Sequence, residues 1–279
     1  MCDLYFCVMK TWMDIAVKAA RLAGEAIMEV YAQPFEVYTK DDASPVTQAD
    51  LRASNIIKET LKETGLPFVS EEDLPPDRSQ FGRYWLVDPL DGTAEFVKRN
   101  GEFTVNIALI DNKRPVLGVI YAPVTGQLWA ALRHCEGGTT EAIQPDSSQG
   151  QLRLDCHVAP QSFAPRNDER PFTVLVSRSH RTPEVDAYID KVLRPAHPDL
   201  VIDSQGSSLK FARLVDGTAD VYVCYSKTKE WDTAAADAIL TAAGGKVLRI
   251  SDGMPLEYDK EDYPNPPFVA WAPNPIFFA

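Results

Sequence analysis

The chain has 279 residues, 45% of them hydrophobic, enough to bury a large core as one big domain or two modest ones. Its formal charge of −12 argues against a nucleic-acid polymer as a bulk electrostatic partner, because a phosphate backbone calls for a basic surface. No window approaches the length of a membrane-spanning helix, so no membrane insertion is expected.

At the start, residues 1–10 are mildly apolar but too short for a signal peptide, and they carry Asp3 where a signal would be basic. Met9 and Met13 offer later start points. Periodicity predicts a first helix over 11–31, with Ile15, Ala19, Leu22, Ala26 and Val30 on one face and Thr11-x-x-Asp14 as its cap. Residues 35–42 are polar and extended. A second amphipathic helix follows Ser44-Pro45-Val46-Thr47, carries Leu51, Ile56, Ile57 and Leu61, and stops at Gly65. Asp50 falls in its first turn, where an acid suits the helix dipole and requires no further role.

A short strand over 66–70 ends at Glu71-Glu72-Asp73, which is more often a solvated turn than a ligand set, although it can converge with the acids at Asp88 if the two strands are neighbours. The next stretch, Tyr84-Trp85-Leu86-Val87-Asp88-Pro89-Leu90-Asp91-Gly92-Thr93, delivers two aspartates from the end of a buried strand that Pro89 punctuates. Carboxylates this close raise each other's pKa unless a cation lies between them. A hard cation such as Mg²⁺ takes oxygen ligands, and the Leu90 carbonyl could add one. Gly92 permits close backbone approach, and residues 93–98 can begin a helix whose amides face an anion. A plain Asp-Gly turn is the alternative. Strands over 103–110, 116–121 and 127–132 then suggest an antiparallel sheet covered by the two early helices. Residues 136–171 read as loop-rich, with a short strand around 152–158.

Beyond this point strand and helix alternate: strands near 172–177, 200–203, 221–225, 246–250 and 268–271, helices near 182–193, 207–215 and 231–243, the last closed by Gly244-Gly245. Alternation of this kind argues for a layered α/β domain. The expected division is an α+β metal-binding domain over 1–160 and an α/β substrate-binding domain over 161–279. Asp232 begins a helix, where an N-cap explains it. Gly206-Ser207-Ser208-Leu209-Lys210 offers an anion cradle at a helix start, or else common residues with a solvated lysine. Ser177-Arg178-Ser179-His180 offers donors after a strand. The cysteines (Cys2, Cys7, Cys135, Cys156 and Cys224) are odd in number, scattered and without a C-x-x-C pair, which suits reduced thiols and a cytoplasmic location.

Val87-Asp88-Pro89-Leu90-Asp91-Gly92-Thr93, the upstream Glu71-Glu72, and Trp231-Asp232-Thr233-Ala234-Ala235 through Gly244-Gly245 resemble the inositol monophosphatase superfamily, in the expected order and over nearly the whole chain. Residues 88–110, with Ser177-Arg178-Ser179-His180 and Gly206-Ser207-Ser208-Leu209-Lys210, are similar to its CysQ-type 3′(2′),5′-bisphosphate nucleotidase branch. The resemblance implies a layered αβαβα sandwich and a phosphatase using more than one Mg²⁺, lithium-sensitive and linked to sulfur assimilation. Its substrate would be a small nucleotide bisphosphate: adenosine 3′,5′-bisphosphate losing its 3′-phosphate to leave AMP, with the 2′ isomer and 3′-phosphoadenylyl sulfate as further candidates. It also implies that Glu71, Asp88, the Leu90 carbonyl, Asp91 and Asp232 hold metal. Asp50 and Thr93 would accept the proton of the attacking water, with Glu71 also at the reacting centre. Gly92 and Thr93 amides would hold phosphate, and Ser177, His180, Gly206 and Lys210 the nucleotide. Two departures stand out: Ser70 where many relatives have glycine, and Cys135-Glu136-Gly137-Gly138-Thr139-Thr140 in place of a Gly-Ala hairpin.

Metal-bound carboxylates can supply the electrostatic stabilisation that phosphate monoester hydrolysis demands, without a side-chain nucleophile. The nearest alternative is an inositol monophosphatase or sugar bisphosphatase on the same scaffold. An aspartyl-phosphate mechanism needs Asp-x-Asp-Gly-Thr, which one inserted residue spoils here, and a non-enzymatic metal or phosphate sensor would not need Thr93 beside the acids.

Overall fold

The computed structural model describes residues 2–39, 45–75, 77–133, 141–143 and 170–273. In chain order the elements are α1 (Cys2–Tyr31), β1 (Val37–Thr39), β2 (Pro45–Thr47), α2 (Gln48–Leu61), β3 (Phe68–Ser70), β4 (Arg83–Asp91), α3 (Thr93–Val97), β5 (Thr104–Asp111), β6 (Arg114–Ala122), β7 (Gln127–Leu132) and β8 (Glu141–Ile143). The second half supplies β9 (Thr173–Ser177), α4 (Pro183–Tyr188), β10 (Val201–Gln205), α5 (Leu209–Val215), β11 (Val221–Cys224), α6 (Glu230–Ala242), β12 (Lys246–Arg249) and β13 (Phe268–Trp271).

Alternation along the strands assigns their side chains to different cores. In the six-stranded sheet β3-β4-β5-β6-β7-β8, Trp85, Val87, Ile107, Leu109 and Val119 face α1 and α2. Tyr84, Leu86, Ala108, Ile110 and Ile120 face the other way, onto Ala234, Ala235 and Ile239 of α6. The five-stranded sheet β10-β9-β11-β13-β12 sends Leu175, Tyr222, Phe268 and Ala270 into that same middle core, while Val174, Val176, Val221 and Val223 pack on α4 and the turn beyond it. Five layers result: helices, sheet, helices, sheet, helices. This is the expected αβαβα sandwich.

Several local expectations are corrected. Helix α1 begins at Cys2 rather than residue 11, because Met9 and Met13 are buried and extend its apolar face; Thr11 lies inside the helix and donates to the Cys7 carbonyl at 3.0 Å instead of capping. Leu22 and Leu51 point to solvent, and small residues (Ala16, Ala20 and Ala23 in α1, Ala49 and Ala53 in α2) line the buried faces, so α1 and α2 can lie close together. Pro89 does not end its strand. Strand β3 pairs with β4 only as far as Ser70↔Val87, so Pro89 meets no donor requirement on that side, and a bulge between Asp88 and Asp91 absorbs it on the β5 side. Thr182 precedes α4 without a side-chain capping bond, and the helical run to Leu193 widens into a π-helical turn over Ile189–Leu193. The expected strand around 152–158, the segment 135–140 and the 160/161 division lie outside the described residues, and no helix among those described is long and apolar enough to cross a membrane.

Candidate active site

Strand β3 joins β4 in parallel, unlike the other pairs of this sheet, and this one choice of direction brings two acid clusters together. Both strands end on the same side, and the Glu71 amide donates to the Val87 carbonyl at 3.1 Å, one residue before Asp88. At the bulge Leu90 packs into the core under α1 and α2, while Asp91 meets Ser208 of the second half of the chain. Gly92 follows with φ +91°, and a Cβ there would lie 2.9 Å from the Glu102 carbonyl oxygen, so this tight turn into α3 calls for glycine.

Two further acids arrive by one device. Asp50 and Asp232 each occupy the third position of a helix, α2 and α6, and each accepts the backbone N–H three residues before it: Thr47 to Asp50 Oδ2 at 2.8 Å, and Lys229 to Asp232 Oδ2 at 2.8 Å. The sequence reading set Asp232 at the helix start as a plain cap; the helix begins at Glu230, so Asp232 makes a capping bond and also faces the cavity.

A cavity of about 430 Å³ lies between the two sheets, lined by Glu71, Asp88, Leu90, Asp91, Gly92, Thr93, Ser177, His180, Gly206, Lys210 and Asp232. Asp50 stands one contact back: the Thr93 hydroxyl donates to Asp50 Oδ1 at 2.9 Å and has the Leu90 carbonyl oxygen at 3.1 Å. Asp50 Oδ2 also accepts the Thr47 hydroxyl at 2.7 Å. Burial pushes the Asp50 carboxyl up, and the Thr47 and Thr93 bonds pull it back. Asp88 and Asp232 are pushed well above the usual carboxylate range, chiefly by burial and then by their acidic neighbours: Glu71 and Asp91 for Asp88, Asp91 and Glu71 for Asp232. Mutually repelling buried carboxylates of this kind, with the Leu90 carbonyl beside them, form an all-oxygen donor set that fits a hard divalent cation. Among the described residues no three acids already gather round one point, so the fit rests on donor chemistry and charge.

On the opposite wall the predicted residues have specific local partners. Gly206 donates its amide to Glu102 Oε2 at 2.7 Å, and a Cβ on it would come within 2.9 Å of Glu95 Cγ. Lys210 is buried, not solvated: its ammonium donates to the carbonyls of Ser207 at 2.6 Å and Gln205 at 3.4 Å and lies 5.1 Å from the Tyr222 ring centre. Burial lowers its pKa, against the pull of Asp91. Ser177 accepts the His180 amide at 3.1 Å, and His180 is exposed at the cavity's edge.

Two residues support the acids directly: Asn106, which has no role in the sequence reading, and Ser208, which that reading offers as part of an anion cradle. Ser208 donates to Asp91 Oδ2 at 2.6 Å, and Asn106 Nδ2 reaches Ser208 Oγ at 2.7 Å and Asp91 Oδ2 at 3.2 Å. A polar residue inside the apolar run Val105-Asn106-Ile107 was the available signal; which of two adjacent serines turns inward was not readable. Glu95, Ser179 and Lys227 also line the cavity, and Ser179 bonds both Glu95 and, at 2.7 Å, Lys98, joining α3 to the loop after β9.

Comparison with known proteins gives a consistent picture. The model of the inositol monophosphatase family matches residues 8–273. The 3′(2′),5′-bisphosphate nucleotidase CysQ of Escherichia coli K12 is 42% identical over 264 residues, covering 92% of this chain and 98% of the relative. The protein of the same name from Salmonella typhimurium is 43% identical over 263 residues with the same coverage. Among solved structures, CysQ from Bacteroides thetaiotaomicron superposes with a TM-score of 0.76 at 39% identity, covering 93% of this chain and 96% of that one.

Proposed function

The chain belongs to the inositol monophosphatase family, and from that premise we propose a Mg²⁺-dependent 3′(2′),5′-bisphosphate nucleotidase that converts adenosine 3′,5′-bisphosphate to AMP and phosphate. The observation that carries the chemistry is the Thr93–Asp50 hydrogen bond beside the buried Asp88 and the half-buried Asp232. Relatives that share about two fifths of the sequence over almost their whole length support the substrate class.

Glu71, Asp88, the Leu90 carbonyl, Asp91 and Asp232 would hold the cation, with more than one ion on the reading that the family resemblance implies. Bound Mg²⁺ supplies Lewis-acid charge that offsets the negative charge gathering on phosphate oxygens in the transition state. The protein's own groups do the rest. Thr93 donates its hydroxyl to Asp50, so Oγ1 can take a proton from a water molecule entering from the cavity as the hydroxyl's own proton passes to the Asp50 carboxylate, which ends the step as the neutral acid. Asp50, held at both ends by Thr47 and Thr93, keeps that hydroxyl in one orientation. The amides of Gly92 and Thr93, at the start of α3, would hold the phosphate under attack, and Ser208 and Asn106 fix the Asp91 carboxylate while the substrate enters. His180 and Ser177 would meet the nucleoside, and Lys210 the second phosphate. The same activity extends, on this reading, to the 2′ isomer and to 3′-phosphoadenylyl sulfate, in a cytoplasmic setting suited to the scattered cysteines.

The test is phosphate release with Mg²⁺ from adenosine 3′,5′-bisphosphate, inositol 1-phosphate and fructose 1,6-bisphosphate at equal concentration. The expected kcat/KM on the nucleotide exceeds the other two by at least about 100-fold, a difference of about 2.7 kcal/mol. A higher rate on inositol 1-phosphate or on the sugar would replace this reading with that of the corresponding phosphatase. No release from any of the three would end it.

A further inference from the structure

Outside the cavity, the deepest charge cluster of the described protein lies behind α6. Glu230 is 0% exposed and Arg78 7%, and an ion pair joins Arg78 Nη1 to Glu230 Oε2 at 2.7 Å. The other carboxylate oxygen accepts the backbone N–H groups of Asp259 and Lys260, each at 2.8 Å, and the Lys260 ammonium at 2.8 Å. The Arg78 guanidinium lies 3.9 Å from the Tyr263 ring centre and donates to the Tyr84 hydroxyl at 3.1 Å and to the Lys260 carbonyl. Tyr263 in turn packs on Trp231, and its carbonyl accepts the Glu230 amide at 2.8 Å.

Neither Arg78 nor Glu230 lines the cavity. Their positions along the chain show what they connect. Arg78 lies in the link from Glu71 to the start of β4, the strand whose far end carries Asp88. Glu230 opens α6, two residues before Asp232. The ion pair therefore fastens the segment bearing the acids of the first half to the helix turn bearing the acid of the second. An isolated buried ion pair can commonly be replaced by apolar side chains without loss; here Glu230 also satisfies the Asp259 and Lys260 amides, so the pair contributes to stability as well as joining the two segments. The carboxylate does not serve mainly as a helix cap, because Asp232 makes the capping bond to Lys229.

Resting on the metal-dependent reading above, we propose that Arg78 and Glu230 are positioning residues that set the spacing between Glu71–Asp88 and Asp232 and so determine divalent-cation affinity. The guanidinium fork and stacked rings hold one separation of the two segments, and a looser contact leaves the carboxylates to find the cation at an entropic cost. Groups hydrogen-bonded directly to metal ligands carry about 10- to 100-fold in metal affinity, and a support one contact further back is expected at the lower end of that range.

The experiment titrates Mg²⁺ into chelator-treated protein by isothermal calorimetry, beside the melting temperature of the metal-free protein. It uses wild type, Arg78→Lys, and the double variant Arg78→Met with Glu230→Met. The double variant is expected to melt lower than wild type, because the Asp259 and Lys260 amides lose their acceptor, and when folded to bind Mg²⁺ about tenfold more weakly, with Arg78→Lys between the two. Wild-type affinity in a folded double variant overturns the proposal. If the double variant does not fold, Arg78→Lys decides: weaker Mg²⁺ binding at an unchanged melting temperature supports positioning, and unchanged binding overturns it. Failure of both to fold assigns the pair to stability and also overturns it. Absence of Mg²⁺ binding by wild type is a different result, because it removes the metal-dependent reading itself.

Discussion

Thr93 has one hydroxyl proton and two acceptors within reach, and the choice between them sets its chemistry. The ionised Asp50 oxygen is both nearer, at 2.9 Å against 3.1 Å, and the stronger acceptor, so it takes the proton. Thr93→Ala is expected to lower kcat by about 10²–10⁴ with little change in KM, as suits a group acting only on the water. Unchanged kcat with raised KM would reduce Thr93 to a ground-state phosphate contact. Lys210 has two N–H groups engaged with the Ser207 and Gln205 carbonyls, which leaves its third for a ligand oxygen. A charge-assisted bond to a second phosphate is worth roughly 1.5–3 kcal/mol, or about 10- to 150-fold in kcat/KM. Lys210→Met should lose that factor on adenosine 3′,5′-bisphosphate and little on 3′-AMP. Equal losses on both substrates would mean that Lys210 only braces the Gln205–Ser207 turn.

Helix α6 lies between the two sheets, and its sequence explains how it fits there. Ala234, Ala235, Ala236 and Ala238 are buried, and Gly118 of β6 meets them with no side chain. A Cβ on Gly118 would come within 2.2 Å of the Ala235 carbonyl oxygen and 3.0 Å of Ala238 Cβ, both on a fully enclosed surface. Gly118→Ala therefore pushes helix and sheet apart. The expected cost is about 1–3 kcal/mol, seen in calorimetry as a fall of several degrees in Tm. An unchanged Tm would show that the two elements separate freely. Helix α2 uses the same small-residue contact against α1, and in both cases a close-lying helix brings its third residue, Asp50 or Asp232, to the site.

Five layers leave α6 with few routes to water, and the charge it buries responds to pH. Burial pushes Asp237 up to about 6, although the Tyr258 hydroxyl at 2.9 Å and the Thr241 hydroxyl at 3.0 Å donate to it. Between the unfolded value of 3.8 and about 6 the folded protein holds a proton that the unfolded chain releases, so this group's contribution to stability falls as pH rises through that window. Above about pH 6 it is constant, and the whole change amounts to roughly 3 kcal/mol. Asp237→Asn removes the titration. In chelator, the variant's Tm minus that of wild type should climb from pH 4.5 to pH 6.5 and then level off. A difference independent of pH would mean that Asp237 titrates normally.

How much of this was legible beforehand differs between motif and arrangement. Local chemistry alone determined the elements with strong periodicity, the helix stop at Gly65 (φ +70°) and the pairing of Asp88 with Asp91, whose signals are short-range; Asp50, Glu71 and Asp232 each had a plain local explanation and joined that pair only through the family resemblance. It misjudged Leu22 and Leu51, since periodicity finds an apolar stripe but not which residues a neighbouring helix will cover. It ended a strand at Pro89, since a proline's missing donor matters only where a partner strand continues. Tertiary structure alone decided that β3 runs parallel to β4, which sets Glu71 beside Asp88. It also decided that Ser208 and Asn106, 102 residues apart, meet on Asp91, and that Lys210 turns inward to backbone carbonyls. Those outcomes depend on contacts between distant segments whose free energy comes from burial in shared cores, and no local run of residues encodes where those cores close.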